Sequence, residues 1–213
     1  MKKDLVPLGY YICKYTNCPE FLNGIAEKII SVSECLCIHE PRIYLCHGWK
    51  PNGDNNEYIS SCFSDKKSYI KMSGEITALL ENGLFEQDGK FLHKENAVYF
   101  YKEYFHAPEY IPVCVSTKDK YTKLLDCKLP AERNTAEEIN GSCIGYDIIG
   151  WDMCCFHSFL CNDLEKRFSG LRFNSYGLLN EPYCTAEKMA LSIQGIGERV
   201  NWIPVVLHKI EIN

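Results

Sequence analysis

The chain has 213 residues, 46% of them hydrophobic and 24% charged, with a formal net charge of −5 and a pI near 5.7. This is the balance of a globular protein with a buried core, and its acidity argues against the basic face by which nucleic acids or anionic membranes are bound. No apolar run approaches the ~20 residues of a membrane span, and the start Met1-Lys2-Lys3-Asp4-Leu5-Val6-Pro7 has no secretory h-region, so a cytoplasmic protein is expected.

Hydrophobic periodicity predicts alternating strands and helices. A strand over 8–15 leads to a helix that Thr16 or Asn17 caps, with Pro19 early and Phe21, Leu22, Ile25 and Ile29 on one face. Residues 42–49 read as a strand, and 68–81 as a helix that Asn82-Gly83 terminates. An aromatic-rich helix over 94–105 precedes a strand over 110–116 and a short helix over 117–126. The polar stretch 129–141 reads as a linker. Beyond it come a strand over 142–151, helices over 154–168 and 185–196, and a final strand over 200–212.

Landmarks recur in the same order on both sides of that linker. Tyr44, Gly48 and Trp49 answer Tyr146, Gly150 and Trp151, and Cys62-Phe63 answers Cys155-Phe156. Asn82-Gly83-Leu84-Phe85 answers Tyr176-Gly177-Leu178-Leu179, and Ala97 answers Ala186 or Ala190. Tyr110-Ile111-Pro112-Val113 answers Trp202-Ile203-Pro204-Val205. The expectation is an α+β protein of two tandem, related β-α-β-α-α halves, 1–128 and 142–213, sharing or abutting mixed sheets. A shared sheet would make them one pseudo-twofold domain.

Thirteen cysteines would suggest a disulfide framework in a small secreted protein. In a reducing compartment, and with an odd count, they read as thiols. Cys13, Cys46 and Cys114 lie in apolar runs, where a thiol behaves as a small hydrophobe.

The densest chemistry-bearing stretch is 145–162. With Asp152 as N-cap of the predicted helix, Cys154 and Cys155 fall in its first turn, where unpaired N–H groups and the helix dipole lower a thiol's pKa. Cys154, His157 and Cys161 would share one helical face. Cys154 then reads as nucleophile and His157 as base, with Asp152 or Asp147 orienting the imidazole. Cys155, answered by Cys62, reads as packing.

Cys35-x-Cys37-x-His39 with Cys46-His47 gathers metal-ligating side chains, but Cys-x-Cys departs from the usual zinc knuckle. On a strand Cys35, Cys37 and His39 would share one buried face. Neither a metal nor a cofactor is expected. No phosphate-binding loop, nucleophile elbow or His-Glu-x-x-His helix is present.

Without a catalytic motif, and with acidic charge, the sequence favours a soluble intracellular binding or regulatory protein, an inhibitor- or immunity-type module. It would meet a basic protein partner through Tyr101, Tyr104, Trp151 and Asp147. The alternatives are a thiol-dependent hydrolase or transferase using Cys154 and His157 in a groove between the halves, and a small-molecule sensor binding there. Neither nucleic acid nor membrane is expected as a partner.

Overall fold

The computed structural model describes residues 4–22, 24–33, 35–37, 66–131, 141–152 and 155–212. Its strands are β1 Leu5–Lys14, β2 Thr16–Asn17, β3 Lys28–Ile29, β4 Tyr110–Lys118, β5 Gly141–Asp152, β6 Cys155–Ser158 and β7 Ile203–Ile210. Its α-helices are α1 Lys66–Glu81, α2 Lys94–Tyr104, α3 Asp119–Thr122 and α4 Tyr183–Ser192. The architecture is α+β. Five strands form one sheet in the order β1-β4-β7-β5-β6, and β2-β3 is a separate ribbon.

Every ladder of the five-stranded sheet is antiparallel, where a mixed sheet was expected. Parallel pairs arise when a helix returns the chain to a neighbouring strand in the same direction. Here α2 leads into β4 beside β1, and α4 leads into β7 beside β5, each running opposite to its partner.

Side-chain alternation divides the core between the two faces. On one face Tyr10, Ile12, Cys114, Val206 and Ile210 pack with Tyr69, Met72 and Ile76 of α1 and with Ala97 and Phe100 of α2. Ile148 packs there with Trp202 and with Ala186, Met189 and Ala190 of α4. On the other face Tyr11, Cys13, Val113, Val115, Ile149, Val205 and Leu207 meet Ile30, Val32, Cys37, Tyr121 and Leu125. Each such aliphatic or aromatic side chain contributes about 1.5–3 kcal/mol on full burial. Because both faces are covered, β4 and β7 are almost continuously buried.

The sheet curls. Phe91 exchanges backbone hydrogen bonds with Tyr10 of β1 (2.8 and 3.0 Å), and the adjacent Lys90 reaches Trp151 and Phe156 on the last two strands. Lys90 is fully buried, its Nζ 5.0 Å from the Trp151 ring centre, an attraction of a cation for an aromatic face.

Helix α1 ends where the sequence places its stop. Gly83 takes φ +65°, and the amides of Gly83 and Leu84 reach the Leu80 and Leu79 carbonyls at 3.0 and 2.8 Å.

Two predicted helices are replaced. Of the helix expected over 154–168, the described residues 155–168 form β6 and two 3-10 turns, Phe159–Asn162 and Leu164–Arg167. Asp163 between those turns is left-handed at φ 56°, which interrupts an α-helix. Asp152 accordingly ends β5 and caps no helix. The second replaced helix, after β1, is a single turn at Glu20–Leu22 inside the ribbon, with the Cys18 amide bonded to the Glu27 carbonyl at 2.9 Å. The short helix expected over 117–126 contracts to α3. The predicted strand 42–49, with Tyr44, Gly48 and Trp49, lies outside the described residues, as does Cys62-Phe63.

Candidate functional site

The short strand β6 alternates: Phe156 and Ser158 are buried, while Cys155 and His157 are half-buried on the opposite face. Across the ladder Asp152 stands opposite Cys155, and Gly150 opposite His157. The glycine is required by close approach, because a Cβ at Gly150 would collide with the Val200 side chain. Val200 thus lies directly on β5 and brings down the turn before it. That turn is closed by the Val200 amide on the Glu198 carbonyl (2.8 Å) and by the Trp202 indole N–H on the Ile196 carbonyl (3.0 Å).

Glu198 therefore comes to rest beside His157, with Oε2 3.0 Å from Nδ1. The other imidazole nitrogen, Nε2, lies 3.6 Å from Cys155 Sγ. The second carboxylate oxygen of Glu198 accepts from Asn162 Nδ2 at 3.4 Å. Donor atoms of Asp152, His157 and Glu198 all lie within 4.8 Å of one another. His157 Nδ1 and Glu198 Oε2 are buried, and among the described residues neither has a hydrogen-bond partner. Their 3.0 Å contact is close enough for a hydrogen bond but not aligned as one.

Of the residues predicted for thiol chemistry, the fold brings Asp152 and His157 together. Cys154 lies outside the described residues, and Cys155 is the thiol beside the imidazole. A strand places residues two apart on one face, so the pairing follows the i, i+2 spacing of β6 in place of the predicted helical i, i+3. Glu198 has no local signature; it arrives through tertiary packing of Val200 on Gly150.

Asp147 is buried on the other face and does not approach His157. It accepts from Ser158 Oγ at 2.9 Å and from the Ile148 amide at 2.7 Å. Burial nevertheless pushes its carboxyl up to about 7. Cys161 belongs to the same interior cluster, 3.0 Å from Ser33 Oγ, and burial raises its thiol to about 12.

Of the predicted partner-binding aromatics, Tyr104 lies on the helix pair. Its hydroxyl donates to Glu75 Oε2 at 2.9 Å, and the Tyr99 hydroxyl donates to the same oxygen at 3.1 Å. Burial first, and then Glu75, push the Tyr104 phenol well above its ordinary range. Lys71 pairs with Glu103 at 2.7 Å and lies over the Tyr104 ring. Tyr99 is 45% exposed and Ile70 54%. Tyr101 is partly buried against the core, and Trp151 stacks edge-on against Phe156 with ring centres 4.9 Å apart.

Cys35 is exposed and Cys37 is buried, donating its S–H to the Lys14 carbonyl at 2.8 Å. Both sit in a turn built on the Ser33 carbonyl, not on a strand. His39, Cys46 and His47 lie outside the described residues. Among the described residues, none of the ten cysteines is in a disulfide.

A cavity of about 110 Å³ lies between Leu5 and Lys118 on one side and Cys143, Tyr146, Tyr183, Val206 and His208 on the other. It is smaller than the ~300 Å³ at which pockets for drug-sized ligands begin. A second, open hollow of about 560 Å³ is lined by Tyr15, Lys28 and Phe173 among others. Among the described residues no helix is long and apolar enough to cross a membrane. Comparison with protein-family models, curated proteins and solved structures found no match.

Proposed function

We propose that the protein is a binding or regulatory module that receives a protein partner on the outer face of α1 and α2. The observation that carries this reading is the pair of tyrosines, Tyr99 and Tyr104, held on one carboxylate with Tyr99 and Ile70 left exposed. Aromatic side chains fixed before binding lose little entropy on association and are favoured anchors of interfaces. The helix pair carries five lysines and four glutamates, so recognition there rests on aromatic contact and paired ions. The net charge of −5 acts at longer range, favouring encounter with a basic partner. Affinity purification of the full chain and of an Ile70→Ser, Tyr99→Ser double variant tests this. A protein retained near stoichiometrically by the parent and lost by a variant of equal melting temperature supports it. Equal recovery of every bound protein from both chains rejects it.

A second reading, thiol-dependent hydrolysis or group transfer, is favoured by one contact, Cys155 Sγ to His157 Nε2 at 3.6 Å. It moves the nucleophile to Cys155 and places it on the edge strand of the sheet. Iodoacetamide labelling of Cys155 that slows markedly in His157→Ala supports it; an unchanged rate counts against it.

We infer also that the chain consists of two related halves within 1–128 and 142–213. The support is a common order: a strand with a bulge, a loop bridging that strand, a helix, and a strand containing proline. Phe85 and Phe91 bridge each other around Gly89, and Phe91 bridges Tyr10; Phe173 and Leu179 bridge each other around Gly177, and Leu179 bridges Tyr146. Buried Ala97 and Ala186 occupy the following helices, and Pro112 and Pro204 stand opposite Ile12 and Ile148. This register aligns Phe85–Phe91 with Phe173–Leu179, replacing the match of Asn82–Phe85 to Tyr176–Leu179. An experimental structure whose halves superpose in another register would sink the idea.

A further inference from the structure

We propose that Asp152, His157 and Glu198 form a binding site for a divalent first-row transition ion, with Zn²⁺ the natural probe. His157 Nε2 is engaged by Cys155 Sγ and Glu198 Oε1 by Asn162 Nδ2. The remaining atoms, His157 Nδ1 and Glu198 Oε2, converge at 3.0 Å without hydrogen-bond partners among the described residues. Asp152, at the end of the neighbouring strand, completes a set of donors within 4.8 Å of one another.

The spacing suits an ion. With Zn–N and Zn–O bonds of about 2.0–2.1 Å, two ligands of one centre stand about 2.8–3.4 Å apart at octahedral to tetrahedral angles. The Nδ1 to Oε2 separation lies toward the lower end of that range, and Asp152 offers the third donor within the same 4.8 Å cluster. One imidazole and two carboxylates form a nitrogen and oxygen set suited to zinc or manganese. Three protein ligands leave a further position for water. Asp152, His157 and Glu198 are each only partly buried.

The neighbours fit the same purpose. Metal-bound imidazoles are oriented through their other ring nitrogen, and ligating carboxylates through their second oxygen. Cys155 and Asn162 occupy those two places. Gly150 positions the set, since its bare backbone is what admits Val200 and the Glu198 turn.

The test is titration of the purified full chain with Zn²⁺ by calorimetry, and with Co²⁺ by visible absorption, while melting temperature reports folding. The expected result is one ion per chain, with binding weakened at least tenfold in both Glu198→Gln and Asp152→Asn. Asn162→Ala should retain one site at roughly ten- to a hundredfold lower affinity. Co²⁺ bands should lack strong thiolate charge transfer, because Cys155 sits outside the ligand set. No saturable binding by the parent overturns the proposal. So does equal binding by folded Glu198→Gln and Asp152→Asn chains, which would move the ion to another site. Intense thiolate bands at unit stoichiometry also overturn this ligand set.

Discussion

Replacing Asp147 with asparagine should flatten the pH dependence of stability between about pH 4 and pH 7. Asp147 is buried with its carboxyl raised to about 7, whereas an unfolded aspartate titrates near 3.9. The folded state therefore favours the neutral acid. That contribution is fully present below about pH 4 and is lost as pH rises through about 7. A separation of about three pKa units corresponds to about 4 kcal/mol in total, of which about 2.5 kcal/mol falls between pH 5 and pH 8. For a chain of this size that is about 5–10 °C in melting temperature. The substituted amide would retain an oxygen to accept from Ser158 Oγ and the Ile148 amide but would not ionise. The assay is thermal melting of parent and Asp147→Asn across this range, read as the difference between the two so that other titrating groups cancel. A difference that stays constant from pH 5 to pH 8 would refute a buried, raised Asp147.

Other expectations follow from single residues. Gly150→Val should destabilise the fold by about 1–3 kcal/mol through overpacking against Val200, and in any folded fraction should abolish Zn²⁺ binding; urea unfolding and calorimetry measure the two effects. Trp202 is fully buried in the α4 core, so Trp202→Ala should cost about 3–5 kcal/mol in the same unfolding assay. For Glu187, burial acts to raise the carboxyl, but hydrogen bonds from Lys120, Lys118 and Tyr121 outweigh it and hold the group at about 2. The stability it contributes is present above the ordinary glutamate pKa and is lost as pH falls through about 2, so Glu187→Gln should remove part of the acid limb of a melting profile. Burial raises the Cys13 thiol, with Cys37 adding to it, and holds Cys114 at about 12. Native-state alkylation read by mass spectrometry should therefore label exposed Cys35, Cys143 and Cys184 and leave Cys13 and Cys114 until the chain unfolds.

Much of the sheet is legible in the sequence because β1, β4, β5 and β7 are runs of apolar and β-branched residues. Helix α1 is legible for a different reason, its Asn82-Gly83 stop. The stretch after Gly150 is not legible in this way. Cys155-Phe156-His157-Ser158 carries only four residues of alternation, too few to outweigh the helical spacing of Cys154, His157 and Cys161. The left-handed Asp163 that breaks the helix is a backbone property without a strong sequence sign. His157 is visible as a polar group in an apolar segment, but its partner Glu198 is not. The link between them is a collision avoided at Gly150, and such contacts appear only once the chain is folded. Asp147 is legible as an unusual acid in a strand, whereas its burial depends on Ser158 from the next strand. The aromatic segment of α2 is recognisable, yet which tyrosine stays exposed depends on Glu75 from α1.

The docking face is tested most directly by placing a photo-crosslinking phenylalanine analogue at position 99, and separately at position 191, in the full chain made in its native cells. Both sites are exposed, Tyr99 at 45% on α2 and Leu191 at 62% on α4. A single dominant protein adduct from position 99, absent from position 191, is the predicted result. No adduct from position 99, or the same adducts from both positions, would contradict a partner on the α1–α2 face.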